Sequence, residues 1–535
     1  MKFRFPVLIV LLLGILSACG GEAEEKKPIQ TDPLADHPGK AYYDKYCGLC
    51  HALPDPTELD KTTWRDYILV RMGAYMGIYF DNTQYYDSVP SKWLEPGEGG
   101  ERILAEGIYP QKPLLKREEF EQIRDYVLKA APEQTFGPPS AVAVPMDLEG
   151  FRVKTVRLDT LQPFVSALHI DEEASQLYAG LLLQPLVKLD PSGKILDSLS
   201  GWTMPVQIHH NHQGLEVVDI GSFGGSDSPQ GSYRRGKSLR ALRRQKEMEK
   251  FERLMRPVEA RYADLDQDRD EDLVIAEFGY HLGRLVWHEK EGSEWMEHVL
   301  FEDDGTVAFE VLDLTGDGAS DILALQANSD EKLVVYENDG QGGFKARMIE
   351  RFSPAAGSAA MELADLNEDG RPEVIICQGD NGDYPPILKH WHGVRIFQLT
   401  PALDLKEVAY LPMNGAYGTK TRDFDQDGDL DIAAVAFYPN YQNRPEESFI
   451  YFENTSGTDL EALTFTPHTI PQVNLSRWMV LDAGDLDGDG DEDIVLGGFN
   501  VRSSDASEEQ YQRWMANNIP IMILENRFKL GAHDS

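Results

Sequence analysis

Apolar positions follow different rhythms along the chain. Val7 to Leu16 form an unbroken apolar run behind Lys2 and Arg4, too short for a permanent membrane span and shaped like the core of an export signal. The stretch after it, GGEAEEKKPIQTDPLADHPG, is polar and aperiodic, which predicts a flexible tether. Between Arg117 and Ala131 the apolar positions 120, 123, 127 and 128 share one helical face, and the helix stops before Pro132. Residues 134–150 (QTFGPPSAVAVPMDLEG) read as a linker. From residue 151 onward, short apolar runs alternate with Gly-, Asp- and Asn-rich turns, the rhythm of strands.

The strand region repeats itself. ADLDQDRDEDLVIAEF, LDLTGDGASDILAL, ADLNEDGRPEVIIC, RDFDQDGDLDIAAVAF and GDLDGDGDEDIVLGGF each place an acidic turn before an apolar run. Their first acids, at 264, 313, 365, 423 and 485, are spaced by 49, 52, 58 and 62 residues. Periods near 50, each with several short strands, point to propeller blades. Two earlier groups share the rhythm without the acids, around Val165 to Leu189 and Pro205 to Asp219. Seven blades result, and Phe151 to Leu158 is placed to complete the last one and close the ring.

Each acidic turn sets oxygen donors at alternate positions with a tight bend at the sixth, the arrangement a calcium ion selects. Asp423/Asp425/Asp427/Asp429/Asp431 and Asp485/Asp487/Asp489/Asp491/Asp493 are complete; Asp365/Asn367/Asp369/Glu373 is nearly so. Thr315 interrupts Asp313/Asp317/Asp321. Arg269 stands where Asp264/Asp266/Asp268/Asp272 needs a glycine-like backbone. The alternative is Asp-rich turns that bind nothing. These turns resemble the calcium-binding FG-GAP/VCBS-type repeat of integrin-like propellers, and the resemblance spans residues 151–535. It implies calcium as a bound ion.

Cys47-Gly-Leu-Cys50-His51 is a Cys-x-x-Cys-His motif, the attachment signature of one c-type haem, with two thioether-forming thiols and a proximal histidine. A zinc site would need a second Cys or His pair. None lies nearby, since the next cysteine is Cys377 and the next histidine His169. For a sixth iron ligand, Met72 and Met76 stand four apart on one helix face, either to ligate or simply to pack. The order Trp64 then Met72 resembles small bacterial cytochrome c domains, and the 117–131 helix resembles their closing helix. That resemblance implies Met72 as ligand, with Met76 the alternative. The Gly/Pro/Tyr-rich stretch 77–113 is a long departure from it.

Leu16-Ser17-Ala18-Cys19 resembles the bacterial lipobox, in which Cys19 is lipidated and begins the mature chain; Gly20 after it argues against inner-membrane retention. The expected organisation is a signal peptide (1–19), a tether (20–36), a cytochrome c-type haem domain (37–133), a linker (134–150) and the propeller (151–535). The expected fold class is multidomain: a small all-α cytochrome c domain plus an all-β seven-bladed propeller. With 51 Lys+Arg against 90 Asp+Glu the net charge is −39, which repels phosphate backbones and argues against nucleic acid as a partner. The basic stretch Lys237 to Arg256 reads as an exposed helix or outer hairpin, or as a docking patch. His209, His210, His212 and His392 are candidates for one axial pocket, or separate core and surface histidines. The residues leave three functions open. The first is electron transfer with a redox partner protein, by a lipoprotein on either face of the outer membrane. The second is a haem-coupled sugar or alcohol dehydrogenase with its site on the propeller. The third is adhesion or binding of a carbohydrate or protein.

Overall fold

The computed structural model describes residues 34–137, 144–158, 160–245, 248–382 and 385–528. Cys19 and the export signal lie outside the described residues, as does most of the tether.

From residue 151 the chain forms seven four-stranded antiparallel sheets. The strand that begins each blade lies innermost: Val165–Asp171, Pro205–Asn211, Pro257–Ala263, Thr306–Leu312, Ser358–Ala364, Ala416–Arg422 and Trp478–Gly484. Phe151–Val156 pairs with Ile521–Asn526 as the outer strand of the seventh blade, so the two ends of the propeller share one sheet. That pairing removes the open seam a ring of sheets would otherwise have.

The second strands explain the apolar runs behind the acidic turns. Asp272–Glu277, Asp321–Gln326, Glu373–Gln378, Asp431–Ala436 and Asp493–Gly498 are buried along their whole length. Blades pack against both faces of such a strand, so alternation gives way to continuous apolar sequence. Each innermost strand carries a bulge after its first residue, which bends it toward the axis.

The axial edge of each innermost strand has no further strand beside it, and the previous blade supplies acceptors instead. His169 Nε2 accepts from the His210 N–H at 2.9 Å, Glu362 from Thr421 at 3.1 Å and Asp482 from Ile170 at 2.8 Å. Gln207 and Glu259 do the same for Ala260 and Phe309. The basic stretch after Lys237 becomes the short helix Leu239–Arg244 and the outer strand Glu249–Leu254 of the second blade.

Residues 34–137 form a separate small unit on the propeller. Helices Pro38–Tyr46 and Arg117–Ala130 cross where Gly39 meets the Gln122 carbonyl too closely for any Cβ. Tyr43, Trp64, Phe120, Ile123 and Val127 fill its core. The unit is not purely helical: Tyr79–Asp81 pairs with Gln84–Tyr86, followed by helix Glu98–Glu106. These elements fall in the 77–113 insertion, which grips the propeller. Glu95 accepts from Ser226, Ser228 and the Asp227 N–H, and Glu98 pairs with Arg253.

Candidate functional site

A meander of four strands sends its first and third connections to one end of the ring and the others to the opposite end. The acidic turns are all first connections, so they share one end. The small unit sits on the other. It touches second connections at Asp227, His281 and Trp391, and between-blade connections at Ser353 and Ala355.

At the acidic end, Asp264/Asp266/Asp268, Asp423/Asp425/Asp427 and Asp485/Asp487/Asp489 each bring three carboxylate oxygens within 4.8 Å of one another. Buried oxygens without partners point the same way: Oδ1 of Asp264, Asp270, Asp423, Asp429 and Asp491. The oxygens fit a hard cation such as calcium. Burial, then mutual repulsion, pushes Asp425 and Asp429 up to about 6 and Asp491 to about 7. The Asp313 and Asp365 turns gather no such triad among the described residues. Asp313 accepts the N–H groups of Gly316, Asp317 and Gly318, as Asp485 does those of Gly488, Asp489 and Gly490, and Asp365 accepts those of Asp369 and Gly370. Asn367, expected as a calcium donor in the second of these turns, is occupied within the turn itself. Its Oδ1 accepts from the Asp369 N–H at 3.0 Å, and its Nδ2 donates to the Asp369 carboxylate at 3.1 Å. An amide carries a donor as well as an acceptor, so Asn367 pairs with the neighbouring acid where an aspartate would be repelled by it.

The ninth-position acids have a structural task that the spacing alone did not announce. Asp272 is buried and accepts from Leu265 and Lys290 at 3.0 and 2.9 Å; Asp321 accepts from Leu314, Thr315 and Asn338. Asp493 accepts from Leu486 and Asn526, Asp431 from Asn454 and the Tyr451 hydroxyl, and Glu373 from Leu366. Asp272, Asp321, Asp431 and Asp493 staple the turn to the third strand, whereas Glu373 ties down its own turn. Asn338, Asn454 and Asn526 belong to the same device, each ending a third strand. The Nδ2 of Asn338 and Asn526 reaches back to Leu265 O and Phe424 O of the preceding blade. The recurring Glu-Asn pairs at 337, 453 and 525 carry that signal, which sequence reasoning passed over.

The four candidate histidines do not meet. His209 and His210 end the innermost strand of the second blade at the acidic end, with His212 exposed beyond them. His392 lies in a second connection at the opposite end, fully buried, with its Nε2 unbonded. Burial, then Lys389, holds its pKa well below the usual range. It is a neutral core residue. His210 donates to Asp171 at 2.8 Å.

His169 and His209 join a feature missed in sequence. The fifth residue of the innermost strands, in blade order, is His169, His209, Arg261, Glu310, Glu362, Lys420 and Asp482. Arg261 pairs with Glu310 at 2.8 Å, Lys420 with Asp482 at 3.2 Å, and the two histidine rings lie 5.2 Å apart. These residues make a polar belt around the axis.

In the small unit, Cys47 caps helix Pro38–Tyr46 and is partly buried against its core, while Cys50 is exposed. The His51 Nδ1 N–H donates to the Ala52 carbonyl at 2.8 Å, which leaves Nε2 as the basic atom of the ring. Leu49 and Leu53, 61% and 45% exposed, make the surroundings apolar. Two thiols, an available imidazole and bare apolar surface fit a haem. Met76 is buried in the cluster that Cys47 packs against; Met72 is half-buried on helix Leu69–Tyr75. The motif lies against the propeller, where Arg351 donates to Cys50 O at 3.4 Å, Ser353 bonds Glu58 at 2.7 Å, and Ile387 and Trp391 join the unit's core. Nearby, the Tyr109 hydroxyl donates to His281 Nε2 at 3.1 Å, and His281 Nδ1 donates to Asp227 at 2.8 Å. Burial alone would raise Asp227, but the bonds from the His281 ring and backbone outweigh it and hold the carboxyl below its usual range.

Beneath the small unit, at the axis, lies a cavity of about 700 Å³. Its wall takes the second residues of several innermost strands, including Ser166, Val206, Val258 and Tyr417. The polar belt, three residues further along those strands, lies toward the acidic end. Arg71 reaches the cavity from the small unit, and Ala355 borders both the cavity and that unit's core.

The FG-GAP-like repeat family matches residues 313–376 and 423–496. These segments run from the acidic turns of blades four and six into the blades that follow. The chain therefore carries FG-GAP-like repeats on a seven-bladed β-propeller. Among solved structures it is similar to the β-propeller domain of Cps50 (Swd1) from Myceliophteria thermophila, at 12% identity and TM-score 0.43, covering 71% of this chain and 99% of that one. It is also similar to the Pan2 WD40 domain from Neurospora crassa, at 9% identity and TM-score 0.43, covering 72% and 98%. No curated protein matches the sequence.

Proposed function

We propose that this protein is an exported, mono-haem c-type cytochrome for electron transfer, held at the outer membrane by a lipid on Cys19, with a calcium-stabilised propeller that docks a partner or ligand. One observation carries it: Cys47, Cys50 and His51 follow a helix end, ringed by bare apolar side chains and seated against the propeller. Haem, when bound there, supplies a one-electron couple. Cys47 and Cys50 would tether it, His51 would ligate through the Nε2 that its Nδ1 bond leaves available, and Met72 on helix Leu69–Tyr75, or Met76 at its end, would supply the second iron ligand. A haem held by histidine and methionine would favour electron transfer over ligand chemistry. Arg351, Ser353 and Trp391 hold the motif against blades four and five.

The test is the denatured pyridine haemochrome spectrum of protein purified from an exporting host. A c-type spectrum that survives acid-acetone extraction, and disappears in the Cys47→Ala/Cys50→Ala double variant, is expected. Protein that carries no covalent haem after export would overturn the reading. The dehydrogenase reading is favoured by one specific feature, the cavity that shares Ala355 with the core of the small unit. It predicts that a sugar or alcohol alone reduces the haem.

A further inference from the structure

The cavity departs from the charge of the chain as a whole. In a chain of net charge −39, five cationic side chains line it among the described residues: Arg71, Arg256, Lys389, Arg477 and Arg502. Two carboxylates line it, Glu331 and Asp380. Asp505 answers Arg477 at 3.1 Å and Glu508 answers Arg502 at 2.6 Å, so the wall keeps a positive excess even with those pairs counted. Glu331 is also committed to the fold, because its carboxylate accepts the N–H groups of Gly357 and Ser358 at 2.9 and 3.0 Å. Lys389 is buried, at 2% exposure, and a buried cation attracts an anion far more strongly than a surface one; Arg477, at 0% exposure, is already answered by Asp505.

Three further features define what the anion is attached to. Tyr417 and Tyr438 border the space, and burial, then Asp380, raises both phenols so that they stay protonated and can donate. Asn381, a residue only 4% exposed, also lines the cavity, and its buried Oδ1 has no hydrogen-bond partner. Phe437, Val258 and Met479 supply apolar wall. About 700 Å³ is ample for a small organic molecule and far exceeds an inorganic anion. We propose that this cavity binds a small hydroxylated carboxylate, of the sugar-acid kind, with its acid group toward the Arg71, Arg256 and Lys389 side and its hydroxyls toward Tyr417, Tyr438 and Asn381. Arg71 makes the small unit part of the site, so the unit acts as a lid with a recognition residue. The proposal does not rest on haem.

The test is calorimetric titration of the calcium-loaded full chain with D-gluconate, D-galacturonate, D-glucitol and inorganic phosphate. One or both acids bind, and glucitol and phosphate bind at least about tenfold more weakly, since loss of a charge-assisted hydrogen bond is worth that much. Arg71→Gln weakens the acid by about tenfold or more while Arg71→Lys recovers part of it. Tyr438→Phe, which removes one hydroxyl and no volume, weakens gluconate by several-fold. Equal binding of glucitol and gluconate, no binding of either acid, or indifference to both Arg71→Gln and Tyr438→Phe would each overturn the assignment. Repeating the titration on the Cys47→Ala/Cys50→Ala protein separates the two proposals. Acid binding retained there leaves the cavity site standing whatever becomes of the cytochrome reading.

Discussion

At the acidic end of the ring, five blades repeat one turn with small variations. At the opposite end the blades diverge, and the groups that meet there, Arg71, Arg256, Lys389 and Arg477, come from widely separated parts of the chain. The first end is local chemistry copied five times. Its donors stand two residues apart, and its staple reaches only to the next hairpin, as from Asp321 to Asn338. The second end is a convergence to which the small unit and several blades contribute different groups. Repetition suits a structural role such as ion-held turns, whereas divergence at the same positions suits recognition of one particular molecule.

Stripping calcium is expected to produce the largest difference between the two ends. A cation that binds only the folded turns contributes about 2.7 kcal/mol per site at a hundredfold excess over its dissociation constant. Chelator should therefore lower the melting temperature of the whole propeller, in calorimetry, by an amount that shrinks in Asp425→Asn and Asp487→Asn proteins. An unchanged melt would mean the turns hold no ion. The capped end is expected to respond to Glu95→Ala instead. Losing the bonds to Ser226, Asp227 and Ser228 costs about 1–3 kcal/mol of docking. Faster hydrogen exchange in residues 77–113, with the calcium shift intact, would show that the two ends are independent.

Acidity sharpens the contrast. In the calcium-free fold Asp425, Asp429 and Asp491 bind protons up to about 6, 6 and 7, well above the unfolded carboxylate value of about 4. The folded state then holds more protons than the unfolded one across that window, so stability falls as pH rises from about 4 to about 7. Melting curves without calcium should show this decline, and saturating calcium should flatten it. A calcium-free melt that rises over the same range would contradict the proposed crowding of these carboxylates.

The smallest effect separates the blades themselves. Positions four and six of every acidic turn adopt positive φ: 63° and 82° at Gln267 and Arg269, against 78° and 89° at Gly316 and Gly318. Arg269 carries a side chain where a left-handed backbone penalises one, so Arg269→Gly should stabilise the third blade by about 1 kcal/mol in urea unfolding. Destabilisation would mean the arginine makes contacts that outweigh its backbone cost.

Much of the acidic end was legible before any coordinates. The turn motif, the buried strand behind it, the count of seven blades and the closing role of residues 151–156 all follow from spacing and apolar rhythm, because they depend on neighbours within one hairpin or one repeat. The backbone bonds of the ninth-position acids were not foreseen, since in sequence a carboxylate facing a cation and one facing backbone N–H groups look alike. Asn367 poses the same ambiguity, because an amide oxygen offered to a cation and one closing its own turn onto Asp369 share one sequence pattern. The Cys-x-x-Cys-His segment was equally visible, as its geometry is that of five consecutive residues.

What only the tertiary structure decided is everything that depends on which loops share an end of the ring. His209 and His392 have the same side chain, yet their places in the strand count send them to opposite ends. The polar belt and the cavity exist because seven strands that are distant in sequence are brought side by side around one axis. The 77–113 insertion, featureless in sequence, becomes the arm that holds the small unit over the cavity, because Glu95 and Glu98 find their partners on the second blade. A periodic pattern encodes the ring; the contents of its centre are set by closure, which no local rhythm records.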